Sequence, residues 1–444
     1  MMGRSSGDSQ QSIVGGLGAD DAKLIRRRAA APRPHRIGRR SVLKTGLAWT
    51  ACAIAAPLPI RARGEQPVKI GMVEPLTGVY AALAEGEIAG ARLAIEEINR
   101  SGGILGREAH LLVADSANDI MTGVEQTRQL IDKDQVDFIA GNVNSAIALA
   151  MTRVTAPKHK LHIVTGGHTD EITGSQCSWN VFRVCKSTTM EANAIAEVLI
   201  AKFGARWYFL TPDYVYGHAL QEAFELKLRQ HGGTWAGDFL PVGTVDYSDS
   251  LTNAAAFHPK VLIDLMGGDD QVNSLKQIVS FGLTHDMAVG GALFELESIL
   301  SVPAEARVGW WTMEWWWNQP DVPGIKTFDA AIRSRTGKAA SARSWFGYAG
   351  IRTIAQIANQ EKSLDAVVLA RALEGYTLPA DIALDPNRAS FRAADHELMS
   401  TILVGEVHPP GADPFDVFTA RVRVEGEKAE GPDAARACRL AFPS

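Results

Sequence analysis

An α/β architecture of two lobes, each a mostly parallel sheet flanked by helices, is the fold class that the sequence predicts. Three observations carry it. From Val68 onward, short apolar runs alternate with longer amphipathic segments, the pattern of strand–helix–strand units whose right-handed crossovers build a parallel sheet. The alternation comes in two successive series with no internal sequence repeat, so the likeness of the two halves is one of pattern. And 444 residues at 46% hydrophobic content exceed what a single core usually absorbs.

The elements follow in order. "VKIGMV" is predicted as a buried strand, and "EGEIAGARLAIEEINRSGG" as a helix with Ile88, Ala91, Leu93, Ile95 and Ile98 inward, ended by Gly102-Gly103. Strand "HLLVAD", helix "TGVEQTRQLIDKD", strand "VDFIAG", helix "SAIALAMTRVTAPKH" and strand "LHIVTG" complete the first series. After "VFRVCKSTT" the second runs through helix "MEANAIAEVLIAKFG", strand "WYFLTP", helix "HALQEAFELKLRQHGG", a short "FLPVG", helix "SDSLTNAAAF", strand "VLIDLMGG", helix "QVNSLKQIVSFG" and strand "MAVGGALF". Helices "GIKTFDAAIRSRTG", "GYAGIRTIAQIANQ" and "LDAVVLARALEG" come next, and strand-like pieces such as "LMSTILVGEV" and "VFTARVRVE" close the chain.

The net charge of −5 is unevenly spread: residues 1–66 hold twelve Lys/Arg against four Asp/Glu, leaving −13 on the remainder. Nucleic acid is therefore no expected partner of the folded part. The basic head has the order of an export signal, Arg26–Arg28, Arg33, Arg36, Arg39 and Arg40 preceding the small-residue apolar run "SVLKTGLAWTACAIAAPLPI". "GRRSVLK" resembles the twin-arginine export motif, with Arg39 and Arg40 as the pair. The implied destination is the periplasm, where a disulfide is chemically available. Cys177 and Cys185, flanking "SWNVFRV", are expected to bridge, with Cys438 left over; two buried free thiols are the alternative.

The loops at the carboxyl ends of the predicted strands, "EPLTGVYAALAEG", "GNVNSA", "TGGHTDE", "TPDYVYGH", "MGGDDQ" and "GGALFELE", are rich in glycines and short polar side chains, as a ligand cleft requires. No G-x-S-x-G, H-E-x-x-H, Walker or G-x-G-x-x-G motif is present, so no cofactor and no metal are expected. His159, His162, His168 and Asp170 are accounted for by strand alternation and turn capping.

"VKIGMVEPLTGVYAALAEGEIAGARLAIEEINRSGGILGREAHLLVADS" and the later "DYVYG" resemble the extracytoplasmic solute-binding proteins of the leucine/isoleucine/valine type that feed ABC importers. The resemblance runs from about Val68 to Leu403. It implies a type I periplasmic-binding-protein fold with three crossover strands, closing over a small organic solute (an amino acid, amide or small carboxylate) without catalysis, as a monomer or weak homo-oligomer serving an ABC permease of the inner membrane. It divides the chain into a leader at 1–66, a first lobe at 67–186 and 316–377, a second lobe at 187–315 and 378–430, and a tail at 431–444. Matched residue by residue, its ligand positions fall on Tyr80 to Leu83, Asn144, Ser145, His168, Thr169, Tyr216, Asp269 and the Ala292-Leu293-Phe294 loop. Amino-acid binders of the family carry an acidic residue in that loop, where this chain has Phe294 with Glu295 offset. A ligand sensor of the same fold and an exported hydrolase with an unrecognised site stay open as alternatives.

"RVGWWTMEWWWNQP" places five of the ten tryptophans, Trp310, Trp311, Trp315, Trp316 and Trp317, at the second crossover. Strand alternation would send Trp311, Met313 and Trp315 to one side and Trp310, Thr312, Glu314 and Trp316 to the other, so that some line the cleft and some pack as core.

Overall fold

The run Val68–Glu74 is buried at every position but Lys69, as an interior strand of a sheet covered on both faces must be. Around it the computed structural model describes residues 66–431 and 437–443. Arg39, Arg40 and the leader through residue 65 lie outside the described residues.

The first series is β1 (Val68–Glu74), α1 (Ala81–Arg100), β2 (Ala109–Asp115), α2 (Ile120–Asp132), β3 (Phe138–Ala140), α3 (Ser145–Thr155), β4 (His162–Val164) and β5 (Val181–Arg183). The second is α4 (Thr188–Phe203), β6 (Arg206–Pro212), α5 (Val215–Gln230), β7 (Thr234–Leu240), α6 (Ser248–Phe257), β8 (Val261–Asp264), α7 (Gly268–Ser280), β9 (Ala288–Gly291), α8 (Leu296–Ser301) and β10 (Trp310–Met313). Then come α9 (Ile325–Thr336), α10 (Ala342–Glu361), α11 (Ala366–Leu373), α12 (Ala380–Ala383), the β11 (Ser390–Phe391) and β12 (Leu398–Met399) hairpin, β13 (Ile402–Val407), β14 (Phe418–Val424) and α13 (Gly426–Glu430).

The first sheet has the order β2-β1-β3-β4-β5, all parallel. The second repeats that order as β7-β6-β8-β9-β10 and adds β13 and β14 antiparallel beyond β10. In each lobe the strand order reverses beside the first strand, between β1 and β3 and between β6 and β8. At such a switch point the connections leave in opposite directions and open a crevice at the strands' carboxyl ends.

Helices α9 to α11 return to the first lobe, where α10 lies against α1. Glycine allows the close crossing. A Cβ on Gly90 would lie 1.8 Å from the Ser344 carbonyl oxygen, and one on Gly347 1.9 Å from that of Glu87.

Three segments cross between the lobes, and a buried ionic knot joins them. Lys186, on the first, donates its backbone N–H to Glu314 Oε2 on the second at 2.7 Å; its ammonium lies 3.8 Å from the same carboxylate and donates to Ser400 Oγ on the third. All three side chains are buried. Burial pushes the Glu314 carboxyl up, but His168 and Lys186 outweigh it and hold the group below its ordinary value. Beside the knot, buried Arg183 at the end of β5 meets Glu397 at 2.5 Å.

The tryptophans are distributed among cores. Trp311 joins Met313 in the second-lobe core against Phe294, ring centroids 4.8 Å apart, and Trp316 packs there on Phe418. Trp315 goes instead to the first-lobe core, edge-on to Phe328, its Nε1 donating to the Leu384 carbonyl at 3.1 Å. Trp311 and Trp315 part company because β10 ends at Met313 and the alternation ends with it. Trp310 lies under Lys202, and Arg333 stacks over half-buried Trp317. None of the five lines the cleft cavity described below.

The expected Cys177–Cys185 bridge is overturned: Cys177 is bonded to Cys438, and Cys185 is a buried free thiol. The cause is the strand between the two. β5 advances about 3.3 Å per residue and carries Cys185 into the core, where its Sγ meets the Gly167 carbonyl. Cys177, outside the strand, meets the C-terminal tail, which also lays Phe442 against Trp179 and Arg371.

Candidate functional site: the interlobe cleft

Loops from the two switch points, with the β4 and β9 loops and the first turn of α10, enclose one cavity. Val143 and Ser145 follow β3, and Tyr80 and Leu83 follow β1; His168 comes after β4 and Arg343 from the start of α10. From the second lobe come Tyr214 and Tyr216 after β6, Gly267 after β8, and Leu293 and Glu295 after β9. The enclosed volume is about 20 Å³, room for roughly one water molecule.

Of the residues singled out by sequence, Tyr80, Leu83, Ser145, His168 and Tyr216 line this cavity. Asn144 does not. Its carboxamide oxygen caps α3, accepting from the N–H groups of Ala146 at 2.9 Å and Ile147 at 3.3 Å, and its NH2 donates to Asn118. The Thr169 hydroxyl donates to Glu171, away from the cavity lining. Asp269 is exposed in the first turn of α7, and Phe294 is buried in the second-lobe core. Leu293 explains the last displacement: its left-handed backbone, φ 57°, breaks the strand alternation, so Leu293 and Glu295 reach the cavity while Phe294 enters the core.

Ser145 Oγ accepts from the N–H groups of His168 at 3.0 Å and Thr169 at 3.3 Å, which leaves its hydroxyl hydrogen to donate elsewhere. Tyr80 and Tyr214 face each other across the lobes, hydroxyl to hydroxyl at 3.2 Å, and Tyr216 lies against both Tyr214 and His168. The His168 partners fix its tautomer: Nε2 accepts from Arg343 Nη2 at 3.2 Å, so Nδ1 carries the proton. Nδ1 donates to the Lys186 carbonyl at 3.0 Å and lies 3.1 Å from Glu314. A buried polar chain thus runs from the cleft through His168 into the knot at the crossing segments.

Arg343 was not foreseen from sequence, and it is the guanidinium of the cleft. Its Nη1 donates to Glu87 at 2.8 Å within the first lobe, while Nε and Nη2 face Glu295 Oε1 of the second. The pair spans the lobes and is almost wholly buried, at 3% and 4% exposure. Glu297 adds a second interlobe contact, accepting from the Ser341 hydroxyl at 2.6 Å. Burial pushes the Glu295 carboxyl up to about 7, even with Arg343 pulling it down. Deeper in the first lobe, burial and the charge of Glu87 raise Glu74 well above the carboxylate range. Among the described residues no group of His, Cys, Asp and Glu is arranged to hold a metal ion, and no helix is long and apolar enough to cross a membrane.

Residues 67–412 match the family described as periplasmic binding protein. BraC3 of Rhizobium johnstonii, a Leu/Ile/Val-binding protein, is 30% identical over 229 residues, 51% of this chain and 60% of that protein's length. Leu/Ile/Val-binding protein homolog 7 of Brucella melitensis is 26% identical over 351 residues, covering 74% of this chain and 86% of that one. A periplasmic binding protein from Burkholderia mallei has the same fold, with a TM-score of 0.77 over 82% of this chain and 96% of that one at 24% identity. With two lobes of one repeated topology and a cleft lined from both of their switch points, the chain belongs to the periplasmic binding protein family.

Proposed function

We propose that the protein is the extracytoplasmic solute-binding component of an ABC importer, closing its two lobes over a small organic solute that carries a carboxylate and presenting the closed form to the membrane permease. The observation that carries this reading is the cavity lined from both lobes, in which a first-lobe cation and a second-lobe carboxylate meet. A solute held there contacts the second lobe only when the lobes are together, so its binding free energy biases the hinge toward closure. Ser145 has a hydroxyl hydrogen to offer a carboxylate, and Tyr216 supplies a ring from the opposite lobe.

A thermal-shift panel of amino acids, amides, and aliphatic and aromatic carboxylates tests the reading, because a ligand at 100 times its Kd adds about 2.7 kcal/mol of stability. With the hit, Ser145→Ala is expected to weaken binding by about 1.5–3 kcal/mol, and Tyr216→Ala to act mainly on the dissociation rate. Silence across the panel, or unchanged affinity in both variants, sinks the cleft assignment. The twin-arginine route is part of the same proposal, motivated by "GRRSVLK". Joint replacement of Arg39 and Arg40 by Lys should hold the precursor in the cytoplasm, and undiminished export of that variant removes the route.

A further inference from the structure

We propose that the solute's carboxylate takes the place of Glu295 on Arg343, that Glu295 accepts a proton from solvent as it is displaced, and that the cargo is therefore an organic monocarboxylate without an ammonium group. The inference rests on the cleft being the solute site and goes on to name the chemistry of its occupant.

Geometry supplies the competition. Glu87, the Gly166 carbonyl and His168 hold the guanidinium to the first lobe, so it stays with that lobe when the cleft opens. Among the described residues its one partner in the second lobe is Glu295, on the Nε/Nη2 edge that faces the cleft. Among the described residues no other Lys or Arg lines the cavity, so a carboxylate entering it has this one guanidinium edge to bind. A cavity of about 20 Å³ cannot hold a solute while Glu295 occupies that edge. Solute and side chain compete for the same two N–H groups, and the planar fork suits either bidentately.

Displaced Glu295 must be neutralised where it lies. The charged and titratable groups around it are Arg343, which favours its anion, Glu297 and Glu191, which oppose it, the neutral imidazole of His168, and the phenols of Tyr214 and Tyr216. Once Arg343 is taken by the solute, the acids and burial prevail. The group already sits at about 7 with Arg343 paired, so a proton is readily gained near neutral pH. The rest of the lining, Tyr80, Leu83, Val143, Tyr214, Tyr216 and Leu293, offers rings and aliphatic surface to the body of the ligand and no second anion for an ammonium.

Calorimetry of the mature protein with benzoate, leucine and benzamide, in two buffers of different ionisation enthalpy, reads the proton directly. The expected result is that benzoate binds with uptake of about one proton at pH 8 and almost none at pH 6, its affinity falling about tenfold per pH unit above pH 7. Glu295→Gln should abolish the uptake, flatten that pH dependence and bind benzoate more tightly than wild type at pH 8. Leucine bound in preference, without proton exchange and lost in Glu295→Gln, would make Glu295 an ammonium partner; it overturns the proposal while leaving the cleft reading intact. Benzamide binding as well as benzoate overturns Arg343 as the anchor. Binding by none of the three overturns the proposal, and the cleft reading falls with it only if the wider panel and the Ser145→Ala and Tyr216→Ala variants are also silent.

Discussion

Gly90→Ala is expected to destabilise the protein by about 3 kcal/mol or more, the upper end of the cost of overpacking, and to weaken solute binding with it. The added methyl would lie 1.8 Å from the Ser344 carbonyl oxygen and 2.9 Å from the Tyr348 nitrogen, both backbone atoms of α10. No side-chain rotation relieves such contacts, so α10 has to move off α1. Arg343 stands on the turn of α10 that would move, and Glu87, its partner, on the facing turn of α1. One methyl group therefore strains the helix pair and detaches the cleft's cation from its first-lobe anchor. Gly411→Ala is the control: its Cβ meets nothing within 4 Å and its backbone is ordinary, so a change within about 0.5 kcal/mol is expected. Equal chemical-denaturation midpoints for the two variants would refute the close-crossing argument.

Lys186→Met should cost about 3–5 kcal/mol, the loss expected when one partner of a buried ion pair is removed and the other stays charged. Glu314 would be left buried with His168 and the Lys186 backbone N–H as its remaining partners, close to a second buried acid, Glu191. Glu191 is itself held well above the carboxylate range, by burial first and the charge of Glu314 second, and Lys186 opposes that shift. Adding Glu314→Gln to Lys186→Met removes the orphaned charge, so the double variant should recover more than about 1 kcal/mol over the single one. If the two losses simply add, the ionic knot is no knot. Because Lys186, Glu314 and Ser400 lie on the three crossing segments, the single variant should also loosen the hinge, visible as faster amide exchange there.

Much of the fold was legible because periodicity marks it. The reading of "SDSLTNAAAF" coincides with α6, and "WYFLTP" with all but the first residue of β6. Short elements were missed. β5, with three residues, and α8, with six, were not read as elements, whereas the equally short β3 and β4 were, because each sits inside a longer apolar run. α10 was read from Gly347, whereas Ser341 caps it with Ser344 in a capping box and starts it at Ala342. That error hid the site's cation, since Arg343 fell outside the helix as read. A capping serine two residues before an arginine, entering an apolar helix, was the available signal. Tyr80, Ser145, His168 and Tyr216 were within reach because loops at strand ends converge on a switch point. Asn144, Thr169 and Asp269 share those loops but spend their side chains on a helix cap, on a neighbouring carboxylate and toward solvent. Sequence gives the loop; only geometry gives the residue within it.

The Cys177–Cys438 bond spans 261 positions, and every strand and helix of the second lobe lies between its ends. Topologically that stretch is a ring. A protease that cuts once anywhere inside it produces two fragments that remain one covalent molecule, separable only by a thiol reductant. A cut before Cys177 releases a piece in either state. Nicked protein can thus keep both lobes facing one cleft, a durability that comes from connectivity and owes nothing to packing.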